Sequence, residues 1–288
     1  MVYSSPNGRE TSYPKHIGKQ NIVNIRKISA LATVFLLAGL AAPLLGVSAG
    51  TETHPRIVHV FVALADNKNQ GIVPVPARLG NGQDPANNLY WGAAFGVKTY
   101  FKKSAEWKVV SCAAGPVPAI LERCVFRRSN PDGYLIADAY DGARIREAIQ
   151  DFLKAAAGRV LRTSAAGSTE IASALKDADL VVYVGHDGLM DFQVPAVVGA
   201  KDGGERQFII LACASKPYFQ GHMKQTGSEP LLWTTSLMAP EAYTLDAALK
   251  GWFAGENAES IRMRAARAYD QYQKCGERSA RRLFASGW

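Results

Sequence analysis

The sequence lacks any long apolar run after residue 50, so nothing in that part of the chain predicts a membrane-spanning helix. It also lacks internal repeats and low-complexity blocks, which excludes solenoid and array architectures. With 48% hydrophobic and 20% charged residues, the composition is that of an ordinary globular protein. Residues 50–288 are therefore predicted to form a single domain with one substantial core.

Several signatures of catalytic and cofactor chemistry are also missing. There is no His-Glu-x-x-His segment and no closely spaced cysteine pair, so the common zinc motifs are absent. Beyond residue 50 there is no Gly-x-Ser-x-Gly segment, which argues against an α/β-hydrolase. The Gly-x-Gly of LGNGQD does not sit tightly between a predicted strand and a predicted helix, so a dinucleotide site is not predicted.

The chain also lacks a strong excess of charge once its N-terminal segment is set apart. The formal net charge is +8, from 33 basic and 25 acidic residues. Five of the basic residues and one of the acidic residues lie within residues 1–49, so the remainder carries a net charge of +4. This mild balance does not indicate nucleic acid as a partner.

Residues 1–49 predict a secretory signal peptide. Two basic residues precede an apolar run that ends in the small-x-small sequence VSA at 47–49, which predicts cleavage after Ala49. The alternative is an uncleaved anchor over residues 28–50, a length that just crosses a bilayer. The protein is therefore predicted to be exported to the periplasm or the extracellular space. Contact with a membrane is expected only through this segment, if it stays uncleaved.

All four cysteines lie after the predicted cleavage site, at positions 112, 124, 213 and 275. Export permits disulfides, and four cysteines allow three complete pairings among which the sequence does not choose. Cys112 and Cys124 flank a turn and a predicted strand, so a hairpin-like return favours a bridge between them. Cys275 is predicted to lie on a C-terminal helix and to be unpaired.

Predicted strands and helices alternate along the chain. The predicted strands cover 57–66, 106–112, 119–128, 134–141, 179–185, 207–213 and 230–235. The predicted helices cover 89–103, 142–158, 168–178 with Ser168 as N-cap, 240–255 and 258–276. This alternation predicts an α/β fold with a doubly wound, mainly parallel sheet flanked by helices.

Polar or reactive residues follow five of the predicted strands. The sets are Asp66 with its loop, 138–141, 186–188, 213–215 and 234–236. Binding and catalytic sites of parallel α/β sheets lie at the carboxyl ends of the strands. The functional site is therefore predicted at this edge of the sheet.

Two of these strand ends carry a histidine and a cysteine. His186 follows the apolar run of the segment DLVVYVGHDG, and Cys213 follows the apolar run of QFIILACAS, the next predicted strand. A thiol attacks a carbonyl as thiolate, so it needs a base or a cation nearby. Because adjacent strands lie about 4.8 Å apart, the two side chains are expected to meet across a reacting group.

The segments LVVYVGHDG and FIILACAS resemble the two motif blocks of the caspase-like cysteine peptidase superfamily, in which an apolar block ending in His-Gly precedes one ending in Ala-Cys. The resemblance implies a caspase-like three-layer sandwich, a peptide or protein substrate, His186 as base and Cys213 as nucleophile. It also implies an oxyanion hole formed by backbone N–H groups of Cys213 and of the residues just after His186. This chain departs from the family where Asp187 stands in place of glycine, with Gly188 one position later.

The polar loop at 65–92 and the other strand ends supply further candidates. The predicted substrate-binding residues are Asp66, Asn67, Asn88, Ser215, Thr234 and Thr235. The loop carboxylates and amides also offer oxygen ligands for calcium, although their spacing is not that of an EF-hand loop. A zinc set of His186, Asp187, Asp191 and His222 is the remaining metal alternative. No metal ligand is assigned and no cofactor is predicted.

The sequence thus favours an exported cysteine-dependent hydrolase, a peptidase with His186 and Cys213 as its dyad. The alternative is a catalytically inactive ligand-binding protein on the same scaffold, with calcium as a candidate ligand, in which Asp187 disables the oxyanion hole. A metal-dependent hydrolase is a third class.

Overall fold

Eight strands form one mixed sheet in a computed structural model that describes residues 54–159, 161, 169–199 and 206–288. The strands are β1 (Arg56–Ala63), β2 (Lys108–Ala114), β3 (Ile120–Ser129), β4 (Asp132–Tyr140), β5 (Leu180–Val184), β6 (Gln207–Leu211), β7 (Glu229–Thr234) and β8 (Phe284–Ala285). Their order across the sheet is β2-β3-β4-β1-β5-β6-β7-β8. The five strands from β4 to β7 pair in parallel, and β2–β3–β4 and β7–β8 pair antiparallel.

Seven helices cover the two faces of this sheet in the described residues. They are α1 (Val97–Lys103), α2 (Ile145–Ala156), α3 (Thr169–Lys176), α4 (Ser215–Thr226), α5 (Ala242–Phe253), α6 (Ala258–Gln273) and α7 (Glu277–Leu283). The core on one face includes residues of α1, α5, α6 and α7, and the core on the other includes residues of α2, α3 and α4. The predicted α/β class and three-layer arrangement are confirmed.

The central strands are apolar because helices cover both of their faces. Every residue of β5 is buried, and in β6 only Gln207 is partly exposed. Such strands show no alternation of polar and apolar residues, which is the pattern that the sequence predicted for them. The residues from His54 to Trp288 belong to one compact unit.

Some predicted elements differ from the observed ones. The predicted helix over 89–103 begins only at Val97, because the chain turns tightly at two glycines. A Cβ at Gly92 would lie 2.2 Å from the carbonyl oxygen of Ala86, and one at Gly96 would lie 2.5 Å from the Trp91 backbone. Helices α4 and α7 and the short β8 were not predicted. The predicted N-cap Ser168 lies outside the described residues.

The cysteines divide into one bridge and two free thiols. Cys112 and Cys124 are directly opposite each other on β2 and β3 and form a disulfide, so the favoured pairing is confirmed. Cys275 is free, as expected, but it lies in the turn between α6 and α7 rather than on a helix. A structural disulfide is typical of proteins outside the cytoplasm.

The membrane predictions concern only the N-terminal segment. Among the described residues, no helix is long and apolar enough to cross a membrane. The predicted signal peptide at 1–49 and the alternative anchor at 28–50 both lie outside the described residues.

Asp138 was expected at the carboxyl edge of the sheet, but it lies inside β4 and is fully buried. Its carboxylate accepts hydrogen bonds from Arg123 Nε at 2.6 Å and Arg123 Nη2 at 2.7 Å, and it contacts His59 Nε2 at 2.9 Å. Burial alone would raise the pKa of Asp138, but the bonds from Arg123 and His59 outweigh it and lower the pKa. Burial lowers the pKa of His59. Asp138 is therefore a structural residue of the core.

Candidate active site

The pairing of β5 with β6 brings His186 and Cys213 to the same edge of the sheet. The last paired residues of the two strands are Val184 in β5 and Leu211 in β6. His186 lies two residues after Val184, and Cys213 lies two residues after Leu211. The N–H of Gly185 continues the pairing, since it donates to the Leu211 carbonyl at 3.2 Å. Gly185 has φ of +151°, and a Cβ there would lie 2.9 Å from the Ala63 carbonyl oxygen, so this turn favours glycine.

The His186 ring is held by a carboxylate. Its Nε2 lies 2.6 Å from Asp191 Oδ2, and the side chain is 7% exposed. Tyr183 donates its hydroxyl to the His186 carbonyl at 2.7 Å and so fixes the backbone at this point. Because an ionised carboxylate only accepts, the neutral ring places its proton on Nε2 and leaves the Nδ1 lone pair free. His186 is thus arranged to act as a base through Nδ1.

Asp191 also joins His186 to the long polar loop. Its Oδ2 accepts a hydrogen bond from the Gly71 N–H at 3.3 Å. A Cβ at Gly71 would lie 2.8 Å from the Asp191 carboxylate, so a side chain at position 71 would push this carboxylate away. The sequence analysis did not predict the pairing of Asp191 with His186. The signal that could have indicated it is a carboxylate five residues after a histidine at the end of a strand.

The Cys213 thiol is half-buried and contacts the backbone of Met238. Its Sγ lies 3.4 Å from the Met238 nitrogen, which donates to it, and 3.5 Å from the Met238 carbonyl oxygen. Burial raises the pKa of the thiol, the Met238 N–H opposes that shift, and the charge of Asp187 adds to it. Cys213 is therefore a protonated thiol at neutral pH in the free protein.

A sharp turn follows Cys213 and leads into a helix. Ala214 adopts the left-handed conformation with φ of +46°. Its N–H donates to the Ser236 carbonyl at 2.8 Å, and α4 begins at the next residue. A non-glycine residue in this conformation costs about 1 kcal/mol or more, and such strain is concentrated at functional sites. The turn places Cys213 two residues before Ser215, the first residue of α4.

Asp187, directly after His186, is fully buried. Its Oδ1 accepts the Leu189 N–H at 3.0 Å and caps the 3-10 turn Gly188–Met190, whereas Oδ2 has no partner among the described residues. Burial is the main cause that raises its pKa to about 7.

The N–H groups expected in the oxyanion hole are partly engaged within this turn. The Gly188 N–H donates to the His186 carbonyl at 3.1 Å, and the Leu189 N–H donates to Asp187. A Cβ at Gly188 would lie 2.6 Å from the Phe192 ring, so the turn depends on glycine at this position. Neither of these two N–H groups points freely into a cleft.

Ser215 and Thr234, two predicted substrate contacts, lie in the interior with no exposed surface. Their hydroxyls are 3.0 Å apart, Ser215 Oγ donates to the Ile210 carbonyl at 3.2 Å, and Thr234 Oγ1 donates to the Ala212 carbonyl. These bonds tie the start of α4 to the ends of β6 and β7. They brace the turn that carries Cys213.

Thr235 is exposed, and its hydroxyl donates to the Arg282 carbonyl at 2.7 Å and to the Leu283 carbonyl at 3.2 Å. Its N–H also donates to the Leu283 carbonyl at 2.8 Å. Thr235 therefore links the end of β7 to the segment that enters β8.

The three predicted residues of the polar loop make hydrogen bonds within the loop. Asn88 uses its amide in four bonds, to the backbones of Ala65, Tyr90 and Asn81, at 2.8 to 3.2 Å. Asn67 exchanges two bonds with the Val75 backbone. Asp66 accepts from Lys68 N, Asn69 N and Asn69 Nδ2 at 2.7 to 3.2 Å. These side chains hold the loop in one conformation beside the His186 turn.

The described residues contain one group of three potential metal-ligating side chains of the His, Cys, Asp or Glu type. It is Cys112, Glu122 and Cys124, in which the two sulfurs are bonded to each other. The residues of the zinc alternative do not form such a group in the described part of the chain. His222 lies on α4, and burial lowers its pKa.

Comparisons with protein-family models, with curated proteins and with solved structures find no match to this chain. The fold and the site define an α/β protein with a histidine–carboxylate pair and a thiol at the carboxyl ends of neighbouring parallel strands. The resemblance to caspase-like peptidases therefore stays a prediction from two short segments and from the order of His186 and Cys213 along the chain.

Proposed function

We propose that this protein is an exported thiol-dependent hydrolase of peptides, in which Cys213 is the nucleophile and His186 the base. The observation that carries the proposal is the β5–β6 register, which sets both residues two positions beyond one strand pair. The hydrogen bond between Asp191 and His186 Nε2 is a second support for the proposal, because it leaves Nδ1 of the neutral ring able to accept a proton.

The geometry favours a mechanism in which the thiol is deprotonated during attack. Because burial raises the pKa of Cys213, a stable thiolate–imidazolium pair is not the resting state. The Sγ–H proton passes to His186 Nδ1 as the sulfur bonds to the substrate carbonyl carbon. The imidazolium, stabilised by Asp191, then returns the proton to the leaving amine, and water hydrolyses the thioester. The Cys213 N–H is the remaining backbone donor for the oxyanion.

The N-terminal sequence and the disulfide support export as the setting of this activity. The predicted leader at 1–49 directs the chain to the periplasm or the extracellular space, or anchors it there through residues 28–50. The Cys112–Cys124 bridge is stable in such compartments. The partner is a peptide or protein substrate, and neither nucleic acid nor a cofactor is part of the proposal.

The proposal is tested by cleavage of a diverse peptide library and of denatured protein, with the free thiols kept reduced. We expect Cys213→Ala to lose at least about 10³-fold of the wild-type activity, because it removes the nucleophile. The matched control is Cys275→Ala, which removes the other free cysteine and keeps full activity. Undiminished cleavage by Cys213→Ala, loss of cleavage with a chelator, or no cleavage by the wild type would each contradict the proposal.

One observation favours the second candidate, an inactive ligand-binding protein on the same scaffold. Asp187 adds negative charge near Cys213, and the adjacent N–H groups are engaged within its turn. This candidate predicts that no peptide is cleaved by the wild type or by Asp187→Gly. Gain of cleavage in Asp187→Gly would identify the site as catalytic.

A further inference from the structure

The Cys213 thiol has a backbone donor that the proposed mechanism does not yet use. Met238, in the segment that follows β7, donates its N–H to Cys213 Sγ at 3.4 Å. The carbonyl oxygen of the same residue lies 3.5 Å from Sγ and accepts a hydrogen bond from the S–H group. Among the described residues, these two atoms are the hydrogen-bond partners of the thiol. The neutral thiol is therefore held by the backbone of a single residue.

The Met238 backbone is fixed on both sides of its contact with the thiol. On the N-terminal side, the Ser236 carbonyl accepts the Ala214 N–H at 2.8 Å, which ties the segment to the turn before α4. On the C-terminal side, the Ala239 N–H donates to the Tyr269 hydroxyl at 3.0 Å. Met238 is itself buried. A donor held in this way is directed at the sulfur before any reaction and needs no reorganisation during it.

Tyr269 is anchored by the packing of α6. The residue is buried, and its ring lies edge-on against Phe284 with 5.6 Å between the ring centroids. Its hydroxyl therefore offers the Ala239 N–H an acceptor in a fixed place. Because Tyr269 acts on the sulfur only through the segment that carries Met238, it is a positioning residue.

The two contacts of Met238 respond differently when the thiol loses its proton. In the proposed mechanism the S–H proton passes to His186 Nδ1, and the electron pair stays on the sulfur. The thiolate has no proton to donate, so its bond to the Met238 carbonyl is lost and that carbonyl dipole opposes the charge. The N–H contact remains and becomes stronger, since hydrogen bonds to an ionised acceptor are roughly twice as strong as neutral ones.

We propose that the backbone N–H of Met238 stabilises the negative charge that forms on Cys213 Sγ, which makes Met238 a catalytic residue of the proposed hydrolase. The catalytic part of this inference rests on the proposed role of Cys213 as nucleophile. The Gly188 and Leu189 N–H groups, which follow His186, are engaged within their own turn. Met238 approaches the sulfur from the segment after β7 and supplies a donor that neither caspase-like motif segment contains.

The role of Met238 is tested by alkylation of Cys213 with iodoacetamide from pH 7 to pH 11, in a Cys275→Ser background. The N–H of Met238 is replaced by an ester oxygen, through incorporation of the α-hydroxy analogue of methionine. This change removes the donor and keeps the side chain and the carbonyl that contacts the thiol. We expect the apparent pKa of the thiol to rise by about half to one unit and alkylation at pH 8 to become about two- to fivefold slower. The two rates should approach each other as the pH rises to 11, because both sulfurs are then increasingly ionised.

The matched control is the same ester replacement at Ser236, two residues earlier in the segment. The Ser236 N–H has no hydrogen-bond partner in the described part of the chain, so its removal should leave the alkylation profile of Cys213 unchanged.

A second variant, Tyr269→Phe, needs no ester and removes the hydroxyl that accepts the Ala239 N–H. It should shift the apparent pKa of the thiol in the same direction by a smaller amount, because the Met238 N–H is kept but less firmly held. Its control is Tyr272→Phe on the same helix, whose ring stacks on Tyr243 with 4.1 Å between the centroids. This control should leave the alkylation profile unchanged.

The role of Met238 is overturned if the ester leaves the apparent pKa of the thiol unchanged, or if it slows alkylation by the same factor at every pH, which would indicate altered access. An equal pKa shift in the Ser236 control would overturn it as well. In peptide cleavage, kcat of the Met238 ester should fall about tenfold or more with little change in KM, and an unchanged kcat would contradict the catalytic part.

The alkylation readout does not require hydrolysis, so the two proposals fail separately. A shifted profile in the Met238 ester without peptide cleavage by the wild type contradicts the hydrolase and keeps the bond to the thiolate. Cys213-dependent cleavage with an unshifted profile contradicts the role of Met238 and keeps the hydrolase.

Discussion

A single hydrogen bond decides which nitrogen of His186 accepts a proton. The 2.6 Å contact with Asp191 places the proton of the neutral ring on Nε2 and leaves Nδ1 unprotonated. The side chain of Asp191 is 41% exposed, whereas the His186 ring beside it is nearly buried. In the proposed mechanism the pair serves as a base whose ring orientation Asp191 fixes.

We predict that Asp191→Asn lowers kcat/KM for peptide cleavage on the order of 10²-fold or more. An amide in this position donates its N–H to Nε2, which moves the ring proton to Nδ1 and blocks the base. The tautomer is measured directly by the ¹⁵N chemical shifts of the His186 ring. The control is Asp84→Asn, a loop carboxylate that bonds Asn87 at 2.7 Å and is expected to change neither the tautomer nor the rate. An unchanged tautomer in Asp191→Asn would refute this role.

The sequence identified single residues where strands end and missed those that meet through turns. His186 and Cys213 follow apolar runs, so a parallel sheet places them at one edge. Asp191 contacts His186 because the 3-10 turn Gly188–Met190 reverses the chain between them. Met238, which follows β7, contacts Cys213, which follows β6. Neither contact has a period or a motif, which is why the sequence did not predict it.

At the scale of elements, three strands share one buried ionic cluster. His59 of β1, Asp138 of β4 and Arg123 of β3 are buried in the sheet, with Asp138 between the other two. Burying the charges of Asp138 and Arg123 is costly, so each is compensated by the other, and the His59 ring adds a further hydrogen bond to Asp138. The cluster joins the antiparallel part of the sheet to its parallel part.

We predict that Asp138→Ala lowers the free energy of unfolding by about 3–5 kcal/mol, because Arg123 and His59 lose their buried carboxylate. The measurement is urea denaturation at pH 7. Asp132→Ala is the matched control on the same strand, since its ion pair with Arg127 at 3.2 Å is exposed and such pairs contribute about 0–1 kcal/mol. Equal losses in the two variants would contradict the structural role of the cluster.

The elements differ in how far the sequence predicted them. β5 and β6 are short apolar runs between turn residues, and α2 has a continuous apolar face. The ends of β5 and β6 were predicted within two residues, and those of α2 within three. α4 was missed because Pro217 and Gly221 oppose a helix locally, although proline is tolerated in a first turn. Tertiary packing stabilises α4 through Phe219 and Met223, both fully buried.

At the scale of the whole molecule, the disulfide secures the edge of the sheet. Most residues of β2 are exposed, so this strand gains little from burial and depends on its pairing with β3. Cys112 and Cys124 are separated by 12 residues and close the β2–β3 hairpin. A bridge of this kind typically contributes about 2–4 kcal/mol.

We predict that reduction of this disulfide lowers the melting temperature by roughly 5–10 °C, from the typical stability of such a bridge and the entropy of unfolding of a chain of this size. Thermal unfolding with and without a reductant measures the change. The control is a double variant, Cys112→Ser with Cys124→Ser, whose melting temperature the reductant should not alter. The Cys213 alkylation profile should survive reduction, because β2 lies five strands from β6 in the sheet order. No change in wild-type melting on reduction would contradict this role.

The sequence alone determined the α/β class, the three-layer arrangement and the two strand ends that carry His186 and Cys213, and it favoured the Cys112–Cys124 bridge that the structure contains. Each of these follows from a local pattern, because apolar runs and turn residues bias the chain over a few neighbours at a time. The tertiary structure decided which charged side chains are buried and which of them have a hydrogen-bond partner. The pairing of Asp191 with His186 and the orphaned carboxyl oxygen of Asp187 depend on distances across turns and strands. Such distances are set by packing, which no local pattern encodes.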